Sequence, residues 1–431
     1  MSTEQIYKEF LQSSGVCTDT RQVLEDSLFF ALRGDQFDGN RFVEDALNKG
    51  CRLAITERKD LAGSGRVVVV SSTLEVLQQL AHYHRMQVAP RLIAITGSNG
   101  KTTTKELLAA VLSKEYTLLA TRGNLNNHIG VPLTLLKLNR EELALVEMGA
   151  NHPGEIAELA RIAAPEVGLI TNVGKAHLEG FGSLQGVLDA KSELYAYLAK
   201  HGGTAIIDGR DQKLMRKADE LGVACKVVAP KGDLPVAVNL ISQTPFLDVE
   251  LLLGEEVYPF STKLVGAYNL QNILLAAATG VHFGVSGNAI AGAISGYLPD
   301  MQRSQMLEGG RNKLVLDSYN ANPSSMREAI GGLLSYATSP TMLILGDMAE
   351  LGDSSEKEHR ELFHWISSLD VDQVLLLGPN FSQIYEPSNR ITVFSGRKEL
   401  EAYLGEVKPE GYHILLKGSR VMELERLVPL L

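Results

Sequence analysis

The stretch Leu92-Ile-Ala-Ile-Thr-Gly-Ser-Asn-Gly-Lys-Thr-Thr-Thr104 decides the fold. Its β-forming start runs into a glycine-rich turn, and a helical run from Thr104 to Leu112 follows. Such a turn points backbone N–H groups at a phosphate, and the helix N-terminus adds partial positive charge. Lys101 would reach the outer phosphates and the Thr102 hydroxyl would hold Mg²⁺. The usual phosphate loop, G-x-x-x-x-G-K-[ST], asks for glycine where Ile95 stands. What remains is the shorter Thr96-Gly97-Ser98-Asn99-Gly100-Lys101-Thr102, followed by Thr103, which still reads as a nucleoside triphosphate site.

Outward from that loop, strands and helices alternate. Leu143–Met148, Val167–Asn172 and Thr204–Asp208 read as strands, while Gly154–Ala163 and Asp189–Lys200 have helical spacing. That alternation predicts a parallel sheet covered on both faces. Residues 235–265 carry short β-like runs that suggest an antiparallel appendage, Asn269–Gly280 reads as a helix, and Gly296–Gly310 as a crossing loop. A second alternating series has strands at 314–317, 342–345, 373–377, 391–394 and 413–417, a dinucleotide-binding-like topology without a convincing G-x-G-x-x-G. The first 88 residues look like a small mixed domain, ended at Ala89-Pro90. The expectation is an α/β protein of three domains: a small mixed α/β unit (1–88), a central parallel-sheet ATPase unit (89–300) and a Rossmann-like unit (301–431).

The 431 residues carry a net charge of −10, so no global basic field invites nucleic acid or anionic membrane. The start lacks a signal-peptide pattern, and no apolar run is long enough to span a bilayer. Cys17, Cys51 and Cys225 are scattered without C-x-x-C spacing, which suits a reducing cytoplasm.

Ligands of open α/β sheets sit beyond the carboxyl ends of the strands. Glu147 closes an apolar strand, where an unpaired carboxylate is costly to bury, and reads either as a metal ligand or as half of an ion pair. His177 follows a strand end. Lys191, by spacing alone, is an ordinary helix lysine. His82/His84 and His359/His364 lack metal-ligand spacing. Thr18-Asp-Thr-Arg21 could meet phosphate and sugar, although a solvated turn has the same composition. Asp317-Ser-Tyr-Asn-Ala-Asn322 and Gly346-Asp-Met-Ala-Glu-Leu-Gly352 are polar crossings that suggest a polar substrate at the rim of the third domain.

Taken together, these stretches resemble the Mur ligases, ATP-dependent amide-bond-forming enzymes of peptidoglycan synthesis. Gly123-Asn-Leu-Asn-Asn-His-Ile-Gly-Val-Pro132, Glu147–Ile156 and Ala176–Ser183 carry the likeness with the two polar crossings, over essentially the whole chain. Within the family they are most similar to the branch that adds D-alanyl-D-alanine to a UDP-N-acetylmuramoyl-tripeptide, in the cytoplasm and as a monomer. The family's short loop accounts for the missing glycine. The resemblance implies two Mg²⁺ ions, one on Thr102 and Glu147 and one on His177. It also implies that Lys191 is carbamylated into a metal ligand. It places Asn269 and Asn272 near adenine, Arg303 on the ATP phosphates and Asp317 near the ribose. Thr18, Asp19, Thr20, Arg21, Asn124 and Asn127 would meet the UDP substrate, and Tyr319, Asn320, Asn322 and Asp347 the dipeptide. Lys101, His177, Lys191 and Arg303 are the implied catalytic set.

Overall fold

A computed structural model describes all residues except 35–36, 300–301, 308–309, 339 and 386–388. The central sheet is wholly parallel. Among the described residues it has six strands, in the order Ala224–Val228, Thr204–Asp208, Val167–Ile170, Arg91–Thr96, Leu143–Glu147, Leu118–Ala120. Ile95 lies opposite Glu147 and Thr96 opposite Ile170, so three strand ends finish level at one edge. Side chains alternate between two cores with the period of a strand. Ile93, Ile95, Leu143, Leu145 and Leu169 join the helices Lys101–Leu112 and Asn269–His282 on one face. Leu92, Ala94, Ala144, Val146 and Ile170 meet the helices Thr73–Val88, Glu155–Ala163 and Leu184–His201 on the other.

The first unit is a parallel sheet of Val16–Cys17, Leu28–Phe30, Leu53–Thr56 and Val67–Val69. Its last helix, Thr73–Val88, is capped at its start by Ser72 and stopped by left-handed Ala89. That helix binds the central unit as firmly as its own. The fully buried guanidinium of Arg85 donates to the carbonyls of Ala163 and Ala164, while His82 and His84 bond the carbonyls of Ile162 and Leu138.

Residues 236–265 form the expected antiparallel sheet, from Val236–Gln243, Phe246–Leu253 and Glu256–Val265. The third sheet runs Gln305–Leu307, Lys313–Asp317, His413–Lys417, Thr341–Gly346, Gln373–Leu377, Ile391–Phe394, parallel except for its first strand.

Some expectations need correction. The phosphate-loop helix begins at Lys101, not Thr104, because left-handed Gly100 turns the chain directly into it. The helix expected over 189–200 starts at Leu184, where the Ser183 hydroxyl accepts from the Gly186 N–H. The loop expected over 296–310 contains the strand Gln305–Leu307, too short and polar to stand out, which pairs with Leu314–Leu316; positions 300–301 and 308–309 lie outside the described residues. The helix Gly287–Ser295, whose start is capped by the Ser286 hydroxyl, is not among the expected elements.

Candidate active site

The phosphate loop is shaped by two glycines that nothing else could replace. Gly97 has φ +145°, and a Cβ there would lie 2.0 Å from Thr171 Oγ1. Gly100 has φ +74°, and a Cβ would lie 2.3 Å from Asn272 Oδ1. Neighbouring strand ends then grip the loop tip. Ser98 N–H donates to Asn172 O (3.0 Å), Asn99 N–H to Asn172 Oδ1 (2.9 Å) and the Thr171 hydroxyl to Asn99 O (2.6 Å). Lys101 folds back so that Nζ donates to Gly97 O (2.6 Å) and Ser98 O (3.2 Å). Burial pushes its pKa down, against the pull of Glu147.

In front of this loop opens a cavity of about 760 Å³, walled by the central and third units. Most expected site residues reach it: Ser98 to Thr103, Asn124, Asn127, Glu147, His177, Asn269, Asn272, Arg303, Asp317, Tyr319, Asn320 and Asn322. Glu147 is 1% exposed. Its Oε1 accepts from Asn126 Nδ2 (2.8 Å), and its Oε2 is buried without a hydrogen-bond partner. Asn269 and Asn272 form a buried chain: Thr104 Oγ1 donates to Asn272 Oδ1 (3.1 Å) and Asn272 Nδ2 to Asn269 Oδ1 (2.8 Å). They tie the phosphate-loop helix to Asn269–His282 as well as lining the cavity.

The third unit closes the far wall. Arg303 stacks its guanidinium 3.8 Å from the centroid of Tyr319, and its Nε is buried without a partner. Asp317 is held by Lys417 Nζ (2.6 Å) and the Ser304 N–H (3.0 Å). The Nδ1 of His177 lies 2.8 Å from Glu350 Oε2, in a geometry too bent for a hydrogen bond. This contact with His177, and the nearby charge of Lys101, hold the Glu350 carboxyl below its usual range. Lys175 Nζ reaches Glu358 Oε1 at 2.5 Å.

Other expected residues lie off this wall. Thr96 is fully buried beneath the loop, and Gly97 packs on Thr171. Lys191 is fully buried with Nζ 3.3 Å from Ala150 O and 5.1 Å from the Phe181 ring centroid. Desolvation, aided by Lys101, pushes its pKa down to about 7. Thr18 to Arg21 lie in the first unit, outside the cavity, where Arg21 closes on Asp19 (2.6 Å) and holds its carboxyl at about 2.

Asp347, expected to meet the dipeptide, faces inward. It is 3% exposed, and its carboxylate accepts from the N–H groups of Asn380 (2.8 Å) and Phe381 (3.1 Å), where the short helix Pro379–Ile384 begins. Asn322 is divided. Its Oδ1 caps the helix Pro323–Leu334 and its Nδ2 donates to Asn99.

Sequence reasoning missed Glu350, although the motif containing it was in view; a strand-end motif marks a crossing, not which of its acids turns inward. Left-handed φ (+62°) is what aims Glu350. It also missed Asn126 and the buried Lys105, which no local pattern distinguishes from a solvated helix lysine.

Three Mur ligase family models match successive stretches of the chain. The Mur ligase middle domain matches residues 95–280, the Mur ligase glutamate ligase domain 302–420, and the Mur ligase family catalytic domain 12–85. The UDP-N-acetylmuramoyl-tripeptide–D-alanyl-D-alanine ligase of Bacillus subtilis (strain 168) is 35% identical over 427 residues, covering 96% of this chain and 92% of its own. That of Escherichia coli (strain K12) is 35% identical over 433 residues, with the same coverage of 96% and 92%. A crystal structure of MurF from Acinetobacter baumannii superposes with a TM-score of 0.88 at 32% identity, covering 99% of this chain and 98% of that one. The MurF ligase of Thermotoga maritima in complex with ADP gives 0.86 at 27% identity, covering 97% of each.

Proposed function

The chain belongs to the Mur ligase family, and we propose that it joins D-alanyl-D-alanine to UDP-N-acetylmuramoyl-tripeptide with ATP, giving the pentapeptide, ADP and phosphate. It is an ATP-dependent peptide ligase of α/β architecture in three domains. The observation that carries the specific reading is the cavity shared by the central and third units. It brings the phosphate loop together with Arg303, Asp317 and Tyr319 of the third unit, so a nucleotide and an acceptor amine can meet there.

In this reading residues 1–88 bind the UDP end of the substrate through Thr18 to Arg21. Residues 89–300 bind ATP, and 301–431 bring the dipeptide. The tripeptide's terminal carboxylate attacks the γ-phosphate and ADP leaves, forming an acyl phosphate. The dipeptide's amine adds to that carbonyl, and the tetrahedral intermediate expels phosphate. Negative charge builds at both steps, and in this reading Lys101 and Arg303 meet it. Holding the reactants in one cavity removes much of the remaining barrier.

Glu147 and Thr102 fit a cation: the partnerless Oε2 of Glu147 and the 2%-exposed Thr102 face the cavity beside the loop. Among the described residues no cluster of three or more His, Cys, Asp or Glu side chains could hold a metal. Thr102 and Glu147 would hold one Mg²⁺ and His177 a second, with a carbamylated Lys191 as a further ligand and phosphate oxygens and water available for the rest. Bound there, Mg²⁺ neutralises charge on the transferring phosphoryl group. Lys191 fits carbamylation, because a pKa of about 7 leaves much of its amine neutral and able to add CO₂. Among the described residues no helix is long and apolar enough to cross a membrane.

Phosphate release with ATP, D-alanyl-D-alanine and the nucleotide tripeptide tests the assignment, run in parallel with lysine and diaminopimelate at the third position. Release with a single amino acid but none with the dipeptide would overturn it.

A further inference from the structure

The phosphate-loop helix buries a lysine that the mechanism does not use. Lys105 is 0% exposed. It stands three residues after Thr102, so both side chains leave the same face of the helix, the face turned toward Glu147. Its Nζ donates to Thr121 O at 2.7 Å, pairs with Glu106 Oε1 at 2.8 Å and lies 3.9 Å from Glu147 Oε2. That last atom is the buried oxygen without a hydrogen-bond partner. The strand-end residue Thr121 also accepts from the Glu147 N–H, through its hydroxyl (3.0 Å), so Lys105 and Glu147 are fixed on one scaffold.

A cation in this position has two effects. It offsets the charge of a carboxylate removed from water, which would otherwise be costly. It also repels any second cation brought to the same carboxylate, at short range and with little solvent to screen the repulsion. Glu106 relieves only part of this, because its carboxylate is half-exposed.

We propose that Lys105 is a built-in counter-charge that makes the cation position at Thr102 and Glu147 conditional on nucleotide. Without phosphates, Lys105 competes with a divalent ion for Glu147. With them, the added negative charge outweighs Lys105, and the ion enters together with its nucleotide. The inference rests on the reading of Glu147 as a metal ligand.

The test is Mn²⁺ binding to the full chain by electron paramagnetic resonance, with and without ADP. Lys105→Met should tighten nucleotide-free Mn²⁺ binding about tenfold and change the ADP-bound affinity much less. A Lys105→Met protein that binds ADP normally, yet takes up nucleotide-free Mn²⁺ no better than the parent, would overturn the proposal. Glu106→Gln, a half-exposed change, provides the check should Lys105→Met fail to fold. It leaves Lys105 less offset and should weaken nucleotide-free Mn²⁺ binding about threefold, with a smaller change in the presence of ADP; unchanged nucleotide-free binding counts against the proposal. Glu147→Gln separates the two readings. Undiminished Mn²⁺ binding in that variant removes Glu147 as a ligand, and the role of Lys105 with it. Lost binding in Glu147→Gln with no gain in Lys105→Met removes the role of Lys105 alone.

Discussion

Asn322 Nδ2 donates to Asn99 Oδ1 at 2.7 Å, joining two residues 223 positions apart: the cap of a third-domain helix and the tip of the phosphate loop. The same Asn322 accepts from the Ser325 N–H at 2.9 Å. The two roles can be separated. Asn322→Asp keeps the capping oxygen and loses the donor, so it should fold within about 0.5 kcal/mol of the parent yet lose about tenfold in kcat/KM for ATP. Asn322→Ala loses both and should also cost about 1 kcal/mol in a urea titration. Parental ATP kinetics in Asn322→Asp would show that the cross-domain bond does not matter to catalysis.

Gly100 is set by backbone and neighbour together. Gly100→Ala places a Cβ in the left-handed region and within 2.3 Å of Asn272 Oδ1. We expect a loss of about 1–3 kcal/mol in stability and at least tenfold weaker ADP binding by calorimetry, because the loop must open to relieve the clash. ADP binding at the parental level would show that the loop can shift without consequence.

Burial, with Lys101 adding to it, pushes the Lys191 ammonium down to about 7 from 10.5. Between those two values the unfolded chain holds a proton that the folded chain has released, so stability rises with pH across that window. In CO₂-free buffer Tm should climb from pH 7 toward pH 10, and Lys191→Met should remove the slope and be the more stable protein at pH 7. A parent whose Tm is flat over that range contradicts the buried-amine account.

Carbamylation has its own test. Lys191→Ala should cripple turnover, with a short carboxylic acid restoring part of it and bicarbonate none, since what is missing is an anionic group. Near-normal turnover in Lys191→Ala would eliminate the carbamate.

Lys175 ties the segment that grips the phosphate loop to Glu358, which is 5% exposed. Lys175→Met should loosen the third domain, raising the radius of gyration in solution scattering with ADP bound and raising KM for the dipeptide several-fold more than it lowers kcat. An unchanged radius and KM would reduce the pair to a surface contact.

The loop, the strands on either side of it and the two alternating series were legible because each is local. A glycine turn between a strand and a helix, and apolar residues at period two or near four, are read within a dozen residues. Within the site, the differences fell where side chains choose partners across the chain. Asp347 and Glu350 stand in one motif of similar polarity, yet one turns inward to start the helix at Pro379 and the other turns out to His177.

The sequence by itself determined that a phosphate loop, lacking one glycine, sits at the edge of a parallel sheet between two flanking domains. Spacing and residue size settle such things before any distant contact forms. Only the tertiary structure decided that Lys105 stands under Glu147, that Glu350 faces His177, and that the loop tip is bonded to Asn322. The physical reason is that a buried polar group is costly until paired, and its partner is supplied by whichever element the packing of apolar faces brings beside it.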